Sequence, residues 1–132
     1  MENSAPANEN KILIVDDDKN VRSFLERYLK QKGYSQIQSV ENGLEALKVI
    51  QEENIKLVLL DIRLPDMNGV EVLRKIKNLN KNISVIMITA FPEEATTKEA
   101  LQVGACDYII KPFDLAYLKS TVHDKIIACI QP

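Results

Sequence analysis

Four short stretches of this chain carry side chains whose types could do chemistry together. Asp16, Asp17 and Asp18 follow the run Lys11–Val15, and Asp61 ends the run Leu57–Leu60. Thr89 follows Ile83–Ile88, and Lys111 follows Asp107–Ile110. Each run is short and apolar or β-branched, the pattern of a strand covered on both faces. In an open α/β sheet the residues just beyond such strands gather along one edge, where ligands bind. Three carboxylates on that edge repel one another unless a cation sits among them. An incomplete set of hard oxygen ligands suits Mg²⁺, which keeps some waters and takes its remaining ligands from phosphate. Lys111 brings a positive charge and Thr89 a hydroxyl. An acceptor carboxylate at Asp61, beside a divalent ion, a lysine and a hydroxyl, is equipment for receiving a phosphoryl group, whose equatorial oxygens need such charge stabilisation. An acid pair in a loop, or a lone Lys-Pro, carries little weight. A solvated acidic rim, however, does not account for a threonine and a lysine arriving at the same edge.

The elements that must position these residues follow from periodicity. Val21, Phe24, Leu25, Tyr28 and Leu29 form one apolar stripe of a helix that Gly33 stops. Gln36–Val40 is partly polar and suits a sheet edge. Asn42-Gly43 caps a second helix, with Leu44, Leu47 and Ile50 expected on its core face. Leu64–Gly69 is rich in turn formers and leads to a third helix with Val70, Leu73 and Ile76 inward and Arg74, Lys75 and Lys77 in water. Glu93–Val103 has a small, alanine-rich apolar side and is expected to be the most loosely packed helix, ended by Gly104. Asp114 is a candidate N-cap for a last helix carrying Leu115, Leu118, Val122 and Ile126. Five strands alternating with five helices require a parallel sheet with helices on both faces.

Composition narrows the function classes. The 132 residues suit one domain, and 45% hydrophobic with 27% charged residues is an ordinary globular balance. A formal net charge of −2 and the lack of a helix with a strongly basic face argue against direct nucleic-acid binding. No apolar run is long enough to span a bilayer, so the expected location is the cytoplasm. Met1–Asn10 has no apolar period and reads as a disordered leader (1–10), with a single domain over 11–130. Cys106 and Cys129 lack metal-ligand spacing and are expected to be buried thiols, with a disulfide as the other reading. His123, alone in a helical pattern, reads as a solvated helix residue.

The stretches ILIVDDD, LVLLDIRLPDMNG, VIMITA and GACDYIIKPF, in this order and at these spacings, resemble the receiver domain of two-component response regulators. The resemblance covers nearly the whole chain, from Lys11 to Ile130. It implies a flavodoxin-like (βα)5 doubly wound parallel sheet with strand order 2-1-3-4-5. It implies that Asp61 takes a phosphoryl group from a sensor histidine kinase or a histidine phosphotransfer protein. Asp17 and Asp61 would bind Mg²⁺ (or Mn²⁺) directly and Asp16 through water, with the backbone carbonyl of Arg63 completing the protein's share. Thr89 and Lys111 match the phosphate-contacting pair, Tyr108 the switch aromatic, and the Lys111-Pro112 peptide would be cis. Phosphorylation would then alter the face formed by the fourth helix, fifth strand and last helix, which addresses an effector or a second copy in a homodimer. Such a domain is a signalling switch, not an enzyme beyond self-catalysed phosphoryl transfer and hydrolysis. Positions beside the motifs, Arg63 and Phe91, would tune the lifetime of the modified form, with Phe91 shielding it from water. Two other readings fit less well. An aspartyl phosphatase of the haloacid-dehalogenase kind, acting through Asp16 and Asp18, would need Thr where this chain has Asn20. An FMN-binding flavodoxin would need a phosphate-cradling first loop, and Asp16-Asp17-Asp18-Lys19 would repel a phosphate.

Overall fold

The computed structural model describes residues 10–90, 93–112, 114–117 and 121–130. The strands are β1 (Ile12–Val15), β2 (Ile37–Val40), β3 (Leu57–Asp61), β4 (Ser84–Thr89) and β5 (Asp107–Ile110). Between them run α1 (Lys19–Gln31), α2 (Gly43–Glu52), α3 (Gly69–Leu79) and α4 (Glu94–Val103), and α5 (Leu115–Tyr117) and α6 (His123–Ile130) follow β5. All pairings are parallel, in the order β2-β1-β3-β4-β5. This is the expected flavodoxin-like doubly wound sheet.

Alternation along each strand divides the core into two layers. Leu13, Val15, Val58, Leu60, Val85 and Met87 face α2 and α3, meeting Ala46, Ile50, Leu73 and Ile76. Ile12, Ile14, Leu57, Leu59, Ile86 and Ile88 face the other way, onto Leu25 and Leu29 of α1 and Val122 and Ile126 near the C-terminus. Because β3 is covered on both sides, all five of its residues, Asp61 included, are buried.

Several local expectations are corrected. Leu44 is 66% exposed. At 100° per residue it lies roughly 120° from Ile50, and the buried line of α2 runs instead through Gly43, Ala46 and Ile50. Lys77 is not in water: its ammonium folds back to donate to the carbonyl of Ile83 at 2.6 Å, capping a loop carbonyl beyond α3. Cys106 and Cys129 are joined in a disulfide, with their Cα atoms 6.0 Å apart. The last helix appears as two described pieces, α5 and α6, and Asp114 caps the first by accepting from the Tyr117 N–H at 2.7 Å. Leu118 and Phe91, and nearly all of the expected leader, lie outside the described residues. The expectation for α4 holds, since Ala100 is its one buried residue. No helix among the described residues is long and apolar enough to cross a membrane.

Candidate functional site

Strand register assembles the site. Val15 pairs with Leu60, so Asp16 and Asp61 are the next residues of two neighbouring strands. Thr89 pairs with Ile110, so Lys111 comes one step beyond on the far side of β4. Asp16, Asp61, Thr89 and Lys111, far apart in sequence, thus end at one rim without any loop having to reach for another.

Asp16 is fully buried, Asp61 is 5% exposed and Thr89 2%, whereas Asp17 faces solvent. The Asp16 backbone is braced by Arg22, whose guanidinium donates to its carbonyl at 2.7 Å, and Asp16 Oδ1 accepts from the Asp18 N–H at 2.9 Å. Asp18 turns away to cap α1, accepting from the Asn20 N–H at 2.8 Å. Lys111 Nζ lies 2.8 Å from Asp16 Oδ2 and 3.4 Å from Asp61 Oδ2. Asp61 Oδ1 accepts from the Arg63 N–H at 3.2 Å. Carboxylate oxygens of Asp16, Asp17 and Asp61 all lie within 4.8 Å of one another.

The electrostatics are those of a cluster short of positive charge. Burial pushes the Asp61 carboxyl above its ordinary value and the Asp16 charge adds to this, while Lys111 and the Arg63 N–H pull the other way without prevailing. Burial alone would lower the Lys111 ammonium, but Asp16 and Asp61 outweigh it and the net direction is up. Lys111 therefore stays charged. Asp16 Oδ2 is shut off from water and, apart from the lysine ammonium, receives no donor. An all-oxygen donor set, an under-served buried carboxylate oxygen and an open side at Asp17 fit a hard divalent cation that retains water.

The peptide between Lys111 and Pro112 is cis, as the resemblance implied. Thr89 sits at its strand end beside Lys111, its carbonyl accepting the Lys111 N–H at 2.8 Å. Tyr108 is half-buried on β5, and Lys125 attends it: the ammonium lies 5.1 Å from the ring centre and donates to the Tyr108 carbonyl at 2.8 Å. The Arg63 guanidinium points outward to Glu93 at 3.4 Å, at the start of α4. Beside the acids, Asp18, Val21, Phe24, Arg27, Lys111 and Pro112 line a groove of about 530 Å³.

Sequence reasoning missed Arg22, Lys125 and Asp66. The first two are basic residues at helical spacing with no local mark. Asp66 read as a turn former, yet its carboxylate accepts from the N–H groups of Gly43 and Leu44, more than 20 residues earlier. Gly69 is fixed by crowding: a Cβ there would stand 2.3 Å from the Asp61 carbonyl oxygen.

A family model for the response regulator receiver domain matches residues 12–123. Sporulation initiation phosphotransferase F of Bacillus subtilis is 39% identical over 112 residues, which are 85% of this chain and 90% of that protein. Transcriptional regulatory protein ZraR of Klebsiella oxytoca is 41% identical over 115 residues, which are 87% of this chain but 26% of that protein. The chain therefore spans nearly all of the first relative and about a quarter of the second. Among solved structures, a CheX–CheY–BeF3–Mg²⁺ complex from Borrelia burgdorferi is similar with a TM-score of 0.85 and 31% identity over 93% of this chain and 90% of that one. A receiver protein from Methanospirillum hungatei is similar with a TM-score of 0.81 and 33% identity, covering 90% of this chain and 94% of that one. The strand order, the acidic rim and these relatives agree: the chain belongs to the receiver domain family of response regulators.

Proposed function

We propose that this domain, spanning 11–130, takes a phosphoryl group onto Asp61 from the phosphohistidine of a sensor kinase or phosphotransfer protein. A carboxylate oxygen of Asp61 forms the new P–O bond as the P–N bond to the donor imidazole breaks, and the imidazole, already protonated on its other ring nitrogen, keeps the P–N electron pair and leaves neutral. Asp17 and Asp61 would hold Mg²⁺ directly, with Asp16 helping through water and the Arg63 carbonyl completing the protein's share; Mn²⁺, similar in its taste for oxygen, would substitute. The ion supplies charge neutralisation to the phosphoryl oxygens. Lys111 contributes a second positive charge from its place between Asp16 and Asp61, and the Thr89 hydroxyl donates to the transferred group. The groove beside Lys111 and Phe24 is where the donor protein would approach, since Lys111, one of its lining residues, reaches the acceptor.

The output follows as a population shift. Thr89 is drawn to the phosphoryl group, Tyr108 packs inward, and the α4, β5 and α6 face changes for an effector or a second copy. The loose seating of α4 supports this, because a helix holding one buried residue repacks easily. The domain works in the cytoplasm as a switch, with self-catalysed transfer and hydrolysis as its only chemistry, and touches neither membrane nor nucleic acid itself.

The observation that carries this reading is the Lys111 ammonium set between Asp16 and Asp61 at 2.8 and 3.4 Å. Incubation with acetyl phosphate and Mg²⁺, followed by intact mass, tests it. The wild-type protein should gain the mass of one phosphoryl group, and a folded Asp61→Asn variant should not. A variant that gains it all the same would overturn the assignment.

A further inference from the structure

Asp66 is exposed at the tip of the loop between β3 and α3, and it is no part of the acidic cluster. Its two carboxylate oxygens accept from the N–H groups of Gly43 at 2.8 Å and Leu44 at 2.9 Å, the first two residues of α2. First-turn N–H groups have no partner within their own helix. The cap residue of α2, Asn42, serves a different donor, the Glu45 N–H at 2.9 Å. The helix is thus capped twice, once by its own Asn42 and once by a loop distant in sequence.

The approach is close enough to dictate residue type. A Cβ on Gly43 would stand 2.5 Å from Cγ of Met67, the neighbour of Asp66, so glycine there lets the loop close onto the helix. The base of the same loop is equally fixed. Arg63 and Asn68 form an antiparallel bridge, and the Gly69 N–H donates to the Ile62 carbonyl at 2.7 Å. Arg63 belongs to that base, and its N–H holds Asp61 Oδ1, so the loop whose tip is tied to α2 carries the acceptor's partner at its foot.

We propose that Asp66 is a positioning residue for the cation and phosphoryl site: by fastening the loop tip to the N-terminus of α2, it fixes the Arg63 main chain over Asp61. The inference rests on the reading above that gives the Arg63 carbonyl and Asp61 to Mg²⁺. An ordinary helix cap would add stability and nothing else, so the two roles separate by experiment. Asn42→Ala removes the other cap of α2 and leaves the loop tie in place, which makes it the control.

The test is titration with Mg²⁺ alone, followed by calorimetry and amide chemical shifts, at a temperature where every variant is folded. Asp66→Ala should raise the Mg²⁺ Kd roughly tenfold, the scale on which groups that orient ligands act, and should speed amide exchange across 62–69. Asp66→Asn, which keeps one carbonyl acceptor, should fall between wild type and Asp66→Ala; it also carries the test if the alanine variant fails to fold. Asn42→Ala should leave the Kd unchanged. An Asp66→Ala protein that binds Mg²⁺ as wild type does would overturn the positioning role, as would an equal weakening by Asn42→Ala. A Mg²⁺ affinity indifferent to Asp61→Asn would instead overturn the cation assignment beneath it, whatever Asp66 does.

Discussion

Asp61 is held in a state the fold disfavours. Burial and the neighbouring Asp16 raise its proton affinity, and Lys111 offsets this only in part. A carboxyl whose folded pKa lies above its unfolded value binds more protons in the native state between the two values. Stability therefore falls as pH rises through that window, and the penalty is fully present above the folded pKa. It follows that Asp61→Asn should stabilise the metal-free protein at neutral pH, by on the order of 1 kcal/mol. The gain should vanish below the unfolded carboxyl pKa, and Mg²⁺ should narrow it by stabilising the wild type alone. Urea titrations of both proteins from acid to neutral pH, with and without the ion, check all three statements. Lys111 makes the converse case. Its folded pKa is raised, so its contribution is whole at neutral pH and is lost only as pH climbs through the folded value. Lys111→Ala leaves two buried carboxylates facing each other, and the expected loss at pH 7 is about 3 kcal/mol, the scale for stripping one partner from a buried ion pair.

At the scale of elements, α3 and α4 are neighbours of opposite character. Five residues of α3 are buried (Gly69, Val70, Val72, Leu73 and Ile76), against Ala100 alone in α4. Arg74 of α3 and Glu99 of α4 meet at 2.7 Å, but both are half exposed, and such a pair adds little. Amide exchange under native conditions should therefore release α4 well before α3, through local opening. Equal protection of the two helices would contradict the proposed ease of repacking. The start of α3 permits no such freedom: Gly69→Ala would drive a methyl into the Asp61 backbone, and a loss of about 2 kcal/mol or more in a urea titration is expected. What was legible in the sequence divides along the same line. The strands and the four strand-end residues could be read because each rests on a local apolar run plus the rule that parallel strands end at one edge, whereas the strand order came only from the family resemblance. The small apolar side of α4 was legible for a similar reason. Leu44, Lys77 and Asp66 were misread or passed over because their environments are set by other elements. Leu44 sits at the start of a helix whose buried line is chosen by the sheet. Lys77 reaches a carbonyl across the α3–β4 turn. Asp66 finds its partners on α2, and no spacing rule connects residues 43 and 66.

For the whole molecule, the feature that sequence reasoning set aside is the Cys106–Cys129 bond. Compartment and the lack of a cysteine motif favoured separate thiols, but the fold brings the two together. Cys106 is tied to β4 by its N–H, which donates to the Val85 carbonyl at 2.7 Å, and the Cys129 carbonyl accepts from Ser84 Oγ. Both cysteines are thus anchored on the same end of β4, and their Cα separation of 6.0 Å lies in the range a disulfide spans. The bond closes a loop over a sequence separation of 23 residues, which holds β5, Tyr108 and the acceptor-facing Lys111. Fixing those ends restricts the unfolded chain more than the native one, and for a loop of this length the stabilisation is about 3 kcal/mol. Wild-type protein in dithiothreitol should therefore unfold at lower urea than oxidised protein, with native spectra unchanged, because the anchors on β4 survive reduction. The double variant Cys106→Ser, Cys129→Ser should match the reduced form and ignore the reductant. Free thiols titrated in the folded protein under air, or a urea midpoint indifferent to dithiothreitol, would show that the two sulfurs stay apart and that β4 alone holds the C-terminal helix in place.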